Sequence, residues 1–325
     1  MDNLETAIAL LSIHGVGPAR LRKLISALTE QGMPFADALG RGRSCTDNTL
    51  ASLMPGSDVL ADAHSLAVAL RGMDVLCLVP AEMERASFRR SHQQALCPPV
   101  LFARGDANLL LRPGVGISGA RNASALALDA ARDVARELAS CHLQVVSGGA
   151  AGVDLAAHTT ALAEGGHTTV VLPEGIAGYR LRGEMEEMAS RSNLLMVSEF
   201  HPRQKWRAAG AMQRNRTICG ISDAVLIIEA RSEGGTFSAG QTALKNGVPL
   251  FVLEFGARNE QNEGNRLLLD DGAIPVRRTR STGKPNLDEL LQVVTASPRP
   301  ATMEQLSLCG DVVREPGAGY SSRSR

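Results

Sequence analysis

Val145-Val146-Ser147-Gly148-Gly149-Ala150-Ala151-Gly152-Val153-Asp154, with His158 close behind, is a short apolar run that breaks into glycines and resumes as a helix-forming stretch. This is the layout of a strand handing over to a helix through a tight turn. Two further turns flank it. Upstream stands Gly116-Ile117-Ser118-Gly119-Ala120-Arg121-Asn122-Ala123-Ser124. Downstream, Arg214-Asn215-Arg216 is followed by the apolar run Ala224-Val225-Leu226-Ile227-Ile228-Glu229 and then by Ser232-Glu233-Gly234-Gly235-Thr236. In an open α/β sheet, ligands bind beyond the carboxyl ends of the strands, where such turns gather. Three of them in one domain predict a shared rim whose backbone N–H groups favour phosphate.

Outward from these turns the pattern alternates. Apolar runs predict strands over 114–117, 143–146, 168–172, 194–197, 224–228 and 249–253. Helical spacing predicts helices over 124–140, 153–164, 182–190, 212–221 and 238–246. Near-continuous apolar strands joined by helices imply a parallel sheet covered on both faces. Residues 267–276 read as a last strand and 287–294 as a closing helix. Further upstream, 58–71 reads as a helix, 73–79 as a short strand and 98–105 as a proline-led strand. Leu10-Leu11-Ser12-Ile13-His14-Gly15-Val16-Gly17-Pro18-Ala19-Arg20-Leu21 has the helix–Gly-x-Gly–helix layout of a helix-hairpin-helix. Arg20, Arg22 and Lys23 add positive charge beside it; the alternative is a hairpin that merely turns the chain. The expected organisation is an N-terminal helical domain over 1–72, a connecting segment over 73–110, a large sheet domain over 111–296 and a disordered Pro/Gly/Ser/Arg tail over 297–325.

Composition narrows the class. Hydrophobic residues make up 44% of the chain, enough for a sizeable core, and 32 glycines suit a turn-rich α/β protein. Aromatics are only 3%, which argues against extensive base stacking. Net charge is zero, so any nucleic-acid affinity must come from local patches. The scattered cysteines Cys45, Cys77, Cys97, Cys141, Cys219 and Cys309 show no metal-ligand spacing and read as reduced thiols, with no metal site expected. The N-terminal Met1-Asp2-Asn3-Leu4-Glu5 has no signal-peptide pattern, and no apolar run approaches the roughly 18 residues of a membrane span, so a cytoplasmic, non-membrane protein is expected.

The turns define the chemistry. Gly114-x-Gly116-x-x-Gly119 has dinucleotide-fingerprint spacing, but its glycines span a strand instead of following one, and no ribose-binding acid follows at the expected distance. No Gly-x4-Gly-Lys-Ser/Thr loop is present. Ser118, Gly119 and Arg121 read instead as a compact phosphate clamp of hydroxyl, backbone N–H and guanidinium. Ser147, Gly148, Gly149, Gly234, Gly235 and Thr236 add hydroxyl and backbone donors. Arg121, Arg214 and Arg216 are expected at the rim as phosphate partners, with Asn215 beside them. Arg216 has a structural alternative, bracing the rim through Asp223 or Glu229, and Asn215 has one in a turn. Asp154 and His158 share one helical face at i and i+4; an acid/base pair is one reading, a structural Asp with a packed His the favoured one.

Taken together, the segment Ser147–Asp154 with His158, Ala161-Leu162 and Gly166 resembles the core motif of the DprA/Smf (DNA processing protein A) family. Arg214-Asn215-Arg216-Thr217-Ile218-Cys219-Gly220-Ile221-Ser222 resembles its RNRxIxGLS segment, and Glu229 with Gly234-Gly235-Thr236 and Ala243 resembles a third. Three positions depart from the family pattern: Gly178-Tyr179-Arg180-Leu181, Ala211-Met212-Gln213 and Leu253-Glu254-Phe255. The resemblance, over roughly residues 95–280, implies a Rossmann-like, doubly wound, mostly parallel sheet with a small N-terminal helical domain. It also implies a non-enzymatic, cofactor-free, homodimeric binder of single-stranded DNA that loads a RecA-type recombinase. Diverged relatives beside toxin genes in phage-defence pairs offer a cognate toxin as the alternative partner. The dimer contact is expected at an exposed sheet edge over 249–253.

A second relation is to nucleotide phosphoribohydrolases of the same superfamily, whose PGGxGTxxE loop is similar to Gly234-Gly235-Thr236. That hydrolysis needs a carboxylate, and the third residue after Thr236 is Ala239. Nucleotide sensing without hydrolysis would use the same rim.

Overall fold

The computed structural model describes residues 1–39, 55–86, 94–256 and 259–296. The expected disordered tail over 297–325 lies outside the described residues. Nine strands form one sheet: β1 (Val75–Leu78), β2 (Leu101–Gly105), β3 (Gly114–Ser118), β4 (Gln144–Ser147), β5 (His167–Val171), β6 (Leu194–Ser198), β7 (Ala224–Ile227), β8 (Leu250–Leu253) and β9 (Ile274–Val276), in the spatial order β1-β2-β6-β5-β4-β3-β7-β8-β9. β1 and β2 pair antiparallel with each other, and β2 pairs antiparallel with β6; every other pairing is parallel. The fold is a Rossmann-like, doubly wound, mostly parallel sheet.

Helices α1 (Asn3–Ser12), α2 (Pro18–Glu30) and α3 (Ser57–Arg71) precede the sheet, with α4 (Pro80–Ala86) between β1 and β2. After β3 come α5 (Ala125–Ser140), α6 (Val153–Ala163), α7 (Glu184–Met188), α8 (Ala208–Ile221), α9 (Gly235–Lys245), α10 (Glu263–Asp270) and α11 (Asp288–Thr295). The parallel strands β4, β6, β7 and β8 are buried along their whole length because helices cover both faces. On one face Val115, Ile117, Val145, Leu226 and Phe251 pack against α5, α6 and α11. On the other, Val225, Ile227, Leu250 and Val252 meet Cys219 of α8, Ala239 and Ala243 of α9 and Leu268 of α10.

Helix α5 shows why the sequence obeys this plan. Ala127, Ala130, Ala131, Val134, Ala135 and Leu138 recur at helical spacing and are all buried. Their small side chains let α5 lie close against α6. α1 and α2 turn about Gly15, which has φ +81°, and Pro18 opens α2. Their apolar residues join one cluster with Phe102, Val170 and Leu194 of the sheet.

Two sequence expectations change. Residues 267–276 are not one strand, because α10 occupies Glu263–Asp270 and only Ile274–Val276 is extended. Arg266 bonds Glu263 and Asp270 along the exposed side of that helix while Leu268 fills the core, the signature of an amphipathic turn. Residues 249–253 are not a free sheet edge either: β8 is paired on both sides, by β7 and β9.

Candidate nucleic-acid interface

β3 and β7 are hydrogen-bonded neighbours from which the sheet grows in opposite directions, toward β4 and toward β8. This is the topological switch point, the place beyond the strand ends where doubly wound sheets bind their ligands. A helix N-terminus at that place would ordinarily receive a ligand phosphate. Here the protein's own carboxylate occupies it. Glu229, just past β7 and 1% exposed, accepts from the Ser124 backbone N–H at 2.9 Å and the Ser124 hydroxyl at 2.6 Å. Ser124 is the N-cap of α5, its Oγ also accepting from Ala127 N–H at 3.2 Å.

The second turn is filled in the same way. Asp154, in the first turn of α6, is buried and accepts a backbone hydrogen bond from Ala150 at 3.4 Å. Burial raises its pKa; the Arg214 charge and that hydrogen bond oppose the rise. Gly152 makes this turn possible. Its φ is +81°, and a Cβ there would lie 2.3 Å from the Ala120 carbonyl oxygen. The expected backbone anion sites of the first two turns are thus partly satisfied from within.

At the glycine turn the unsatisfied group is a cation. Arg214 does not stand at the rim as expected; it is only 7% exposed, because α8 begins at Ala208 and carries this side of its first turns under the glycine turn. Its guanidinium lies directly on Gly148, where a Cβ would come within 1.4 Å of Nη1. Nε is buried with no hydrogen-bond partner, and Arg214 forms no ion pair within 4.0 Å among the described residues. Burial lowers its pKa, the Asp154 charge opposes this, and the nearby Arg121 charge adds to it. The Tyr179 hydroxyl closes another side, 2.9 Å from where a Gly149 Cβ would stand. Above them Arg121 is exposed, its guanidinium carbon 5.9 Å from the centroid of the Trp206 ring.

The other expected site residues are mostly engaged internally. Ser147 Oγ donates to the Ile117 carbonyl at 2.6 Å and Thr236 Oγ1 to the Gly119 carbonyl at 3.0 Å, so neither hydroxyl hydrogen points outward. Asn215 is buried and donates to the Gly235 carbonyl at 3.0 Å, tying α8 to the start of α9. Arg216 leaves α8 about 200° around from Arg214 and donates to the Ala95 carbonyl at 3.0 Å. Ser118 is half-buried, Gly119 and Gly149 are buried, and Gly234 and Gly235 are exposed at the N-terminus of α9. The structure therefore gathers Arg121, Arg214, Gly148 and Gly149 and sends Arg216 elsewhere. Tyr179 and Trp206 belong to the same mouth and were missed; the basic Lys205-Trp206-Arg207 run was the available signal for one of them.

His158 is fully buried, and its Nδ1 lies 2.6 Å from Thr168 Oγ1. The Thr168 hydroxyl itself donates to the Val145 carbonyl at 2.9 Å, so Nδ1 must carry the proton. Nε2 is buried and unpartnered, and burial with the Arg214 charge pushes the ring's pKa down to about 3. This is a neutral core histidine. Among the described residues no group of three His, Cys, Asp or Glu is placed to hold a metal ion, and no helix is long and apolar enough to cross a membrane.

The family model described as DNA recombination-mediator protein A matches residues 84–284. The chain belongs to this family. Its relatives include the DNA processing protein DprA of Streptococcus pneumoniae, 28% identical over 178 residues, a match covering 54% of this chain and 62% of that protein. Protein Smf of Escherichia coli is 31% identical over 181 residues, covering 55% of this chain and 48% of its own length. The matched region thus spans less than two thirds of these DprA/Smf relatives. Among solved structures, DprA from Streptococcus pneumoniae superposes with a TM-score of 0.64 over 85% of this chain and 95% of that one at 21% identity. DprA from Helicobacter pylori, whose structure is described by its single-stranded DNA binding mode, has a TM-score of 0.55 over 69% of this chain and 97% of that one at 26% identity.

Proposed function

We propose that this chain binds single-stranded DNA through its phosphates at the Arg121–Arg214 mouth and acts in DNA recombination without catalysing a reaction. One observation carries the reading: Arg214, a buried guanidinium with an orphaned Nε, laid against glycine with no contacting carboxylate. An interior cation is costly unless an anion joins it, and a phosphate oxygen would supply both the charge and the acceptor. The exposed Arg121 beside it extends the positive path toward solvent. The Helicobacter pylori relative, described by its single-stranded DNA binding mode, supports the same ligand class.

A hydrolytic role is disfavoured by the same geometry. Asp154 is buried against the Ala150 backbone N–H, His158 is locked in the core, and Ala239 stands where a hydrolase carboxylate would be. The family description supports a RecA-type recombinase as partner. A homodimer would place two mouths on one assembly and raise avidity.

Fluorescence anisotropy of a labelled oligonucleotide at low and moderate salt tests the core of this reading. Binding is expected to be preferential for single strands, indifferent to sequence and weakened by salt, with a slope of about −0.7 per neutralised phosphate. Absence of binding at low salt, or release of free base from a nucleoside monophosphate, would overturn it.

A further inference from the structure

We infer that Trp206 is a stacking platform for a nucleobase of a strand whose phosphates lie at Arg121 and Arg214. This rests on the reading above and adds a base contact to it. Trp206 is the chain's single tryptophan, and it is 49% exposed on the segment between β6 and α8. An exposed tryptophan offers a broad flat apolar face with a polar N–H edge, the kind of side chain enriched at binding surfaces.

The segment that presents it is well anchored. Gly175 N–H donates to the Gln204 carbonyl at 2.8 Å, Ala177 N–H to the Pro202 carbonyl at 3.0 Å, and Gln204 N–H to the His201 carbonyl at 2.8 Å. Arg203 pairs with Asp62 of α3 at 2.7 Å. Trp206 therefore follows directly on an anchored segment.

Its surroundings select a nucleotide over an apolar partner. Lys205 and Arg207 flank it, both exposed and neither in an ion pair among the described residues. Arg121 lies over the ring, and the Arg121 charge is also felt by Arg214. An apolar protein surface would meet charge on both sides of the ring. A strand offers a flat apolar base together with an adjacent phosphate, matching the aromatic face and the cations in turn.

The test uses the full chain and its intrinsic tryptophan emission. Two probes of equal length, about 20 nucleotides, are titrated at low salt: oligo-thymidylate and an abasic deoxyribose-phosphate strand. We expect oligo-thymidylate to change Trp206 emission with the same midpoint as its anisotropy, while the abasic strand binds more weakly and leaves emission nearly unchanged. Trp206→Ala should lose about tenfold for oligo-thymidylate, little for the abasic strand, and keep the parent's salt slope; Trp206→Phe should recover part of the loss. An unchanged thermal midpoint shows that the variants fold. Equal binding of the two strands by the parent, or parental affinity in Trp206→Ala, overturns the inference and leaves the phosphate site standing. Failure of both strands to bind overturns the phosphate reading itself and the stacking role with it.

Discussion

The guanidinium of Arg214 rests on Gly148, so closely that a Cβ at 148 would lie 1.4 Å from Nη1. A glycine in the second turn and an arginine from a helix some sixty residues later thereby form one feature, a cation held in place by the absence of a side chain. Gly148→Ala should displace the guanidinium and weaken oligonucleotide binding about as much as Arg214→Met, at least about tenfold for a lost charge-assisted phosphate contact. Arg214→Met removes a desolvated cation but also the charge that offsets buried Asp154, so the two effects oppose each other and the net stability change should be small. Chemical denaturation beside anisotropy checks both. A large stability loss in Arg214→Met with binding intact would make Arg214 a brace.

Asp154 should act against binding. It is buried close enough to Arg214 for each charge to shift the other's pKa, so it partly cancels the field a phosphate would meet. Asp154→Asn is expected to tighten oligonucleotide binding several-fold. The sign follows from protonation: burial raises the Asp154 pKa, so lowering pH through that value neutralises the group and strengthens binding. In the Asn variant that pH dependence should be missing. A variant that binds more weakly than the parent would mean that Asp154 holds the turn open and the electrostatic account fails.

Arg121 and Arg216 should behave differently. Arg121 is exposed at the mouth, whereas Arg216 is used on the opposite side of α8 by the Ala95 carbonyl. Arg121→Ala should reduce the salt slope by about 0.7, and Arg216→Ala should leave it unchanged. Equal slopes for the two variants would contradict the separation.

Much of the fold was legible because it rests on repetition. Apolar runs such as Ala224–Ile227 and the small-residue stripe of α5 follow from periodicity alone, and the glycines mark where strands yield to helices. The site was less legible because its chemistry depends on which groups find partners. Nothing in the sequence states that Glu229 reaches Ser124, that Ser147 and Thr236 turn their hydroxyls to carbonyls, or that Arg214 is the one of the two α8 arginines that is buried under the glycine turn. The strand pattern over 267–276 failed for a related reason. Asn265 there bonds Ala230 N–H and the Ile228 and Leu253 carbonyls, fixing a helix across the ends of β7 and β8.

The Glu229–Ser124 pair should contribute to stability more than to binding. The carboxylate is 1% exposed and caps α5 through two donors of Ser124. Glu229→Gln loses the charge that favours a helix N-terminus and adds an amide needing an acceptor, at a cost of about 1–3 kcal/mol. Ser124→Ala should cost about 1 kcal/mol. Because the two residues are in contact, their effects in the double variant should be less than additive. Additivity within about 0.3 kcal/mol would show that the pair is not coupled.

His158 gives stability a defined dependence on pH. Its ring is neutral in the folded state, with a pKa depressed to about 3 by burial and by Arg214, against 6.5 when unperturbed. Below pH 6.5 the unfolded chain takes up a proton that the folded chain refuses. The contribution of this residue is therefore complete above pH 6.5 and is lost as pH falls toward 3, at up to about 1.4 kcal/mol per pH unit. Asp154 and Glu199, whose pKa values burial raises, act in the opposite sense at mildly acidic pH. The informative quantity is thus the difference between the parent and His158→Asn, an amide able to keep the donor toward Thr168 without a titrating ring. Urea denaturation between pH 7 and pH 4.5 should show the variant less stable at neutral pH and the gap closing on acidification, over a window of about two units. A constant gap would mean that His158 titrates normally in the folded protein, which its buried, unpartnered Nε2 and the charge of Arg214 both oppose.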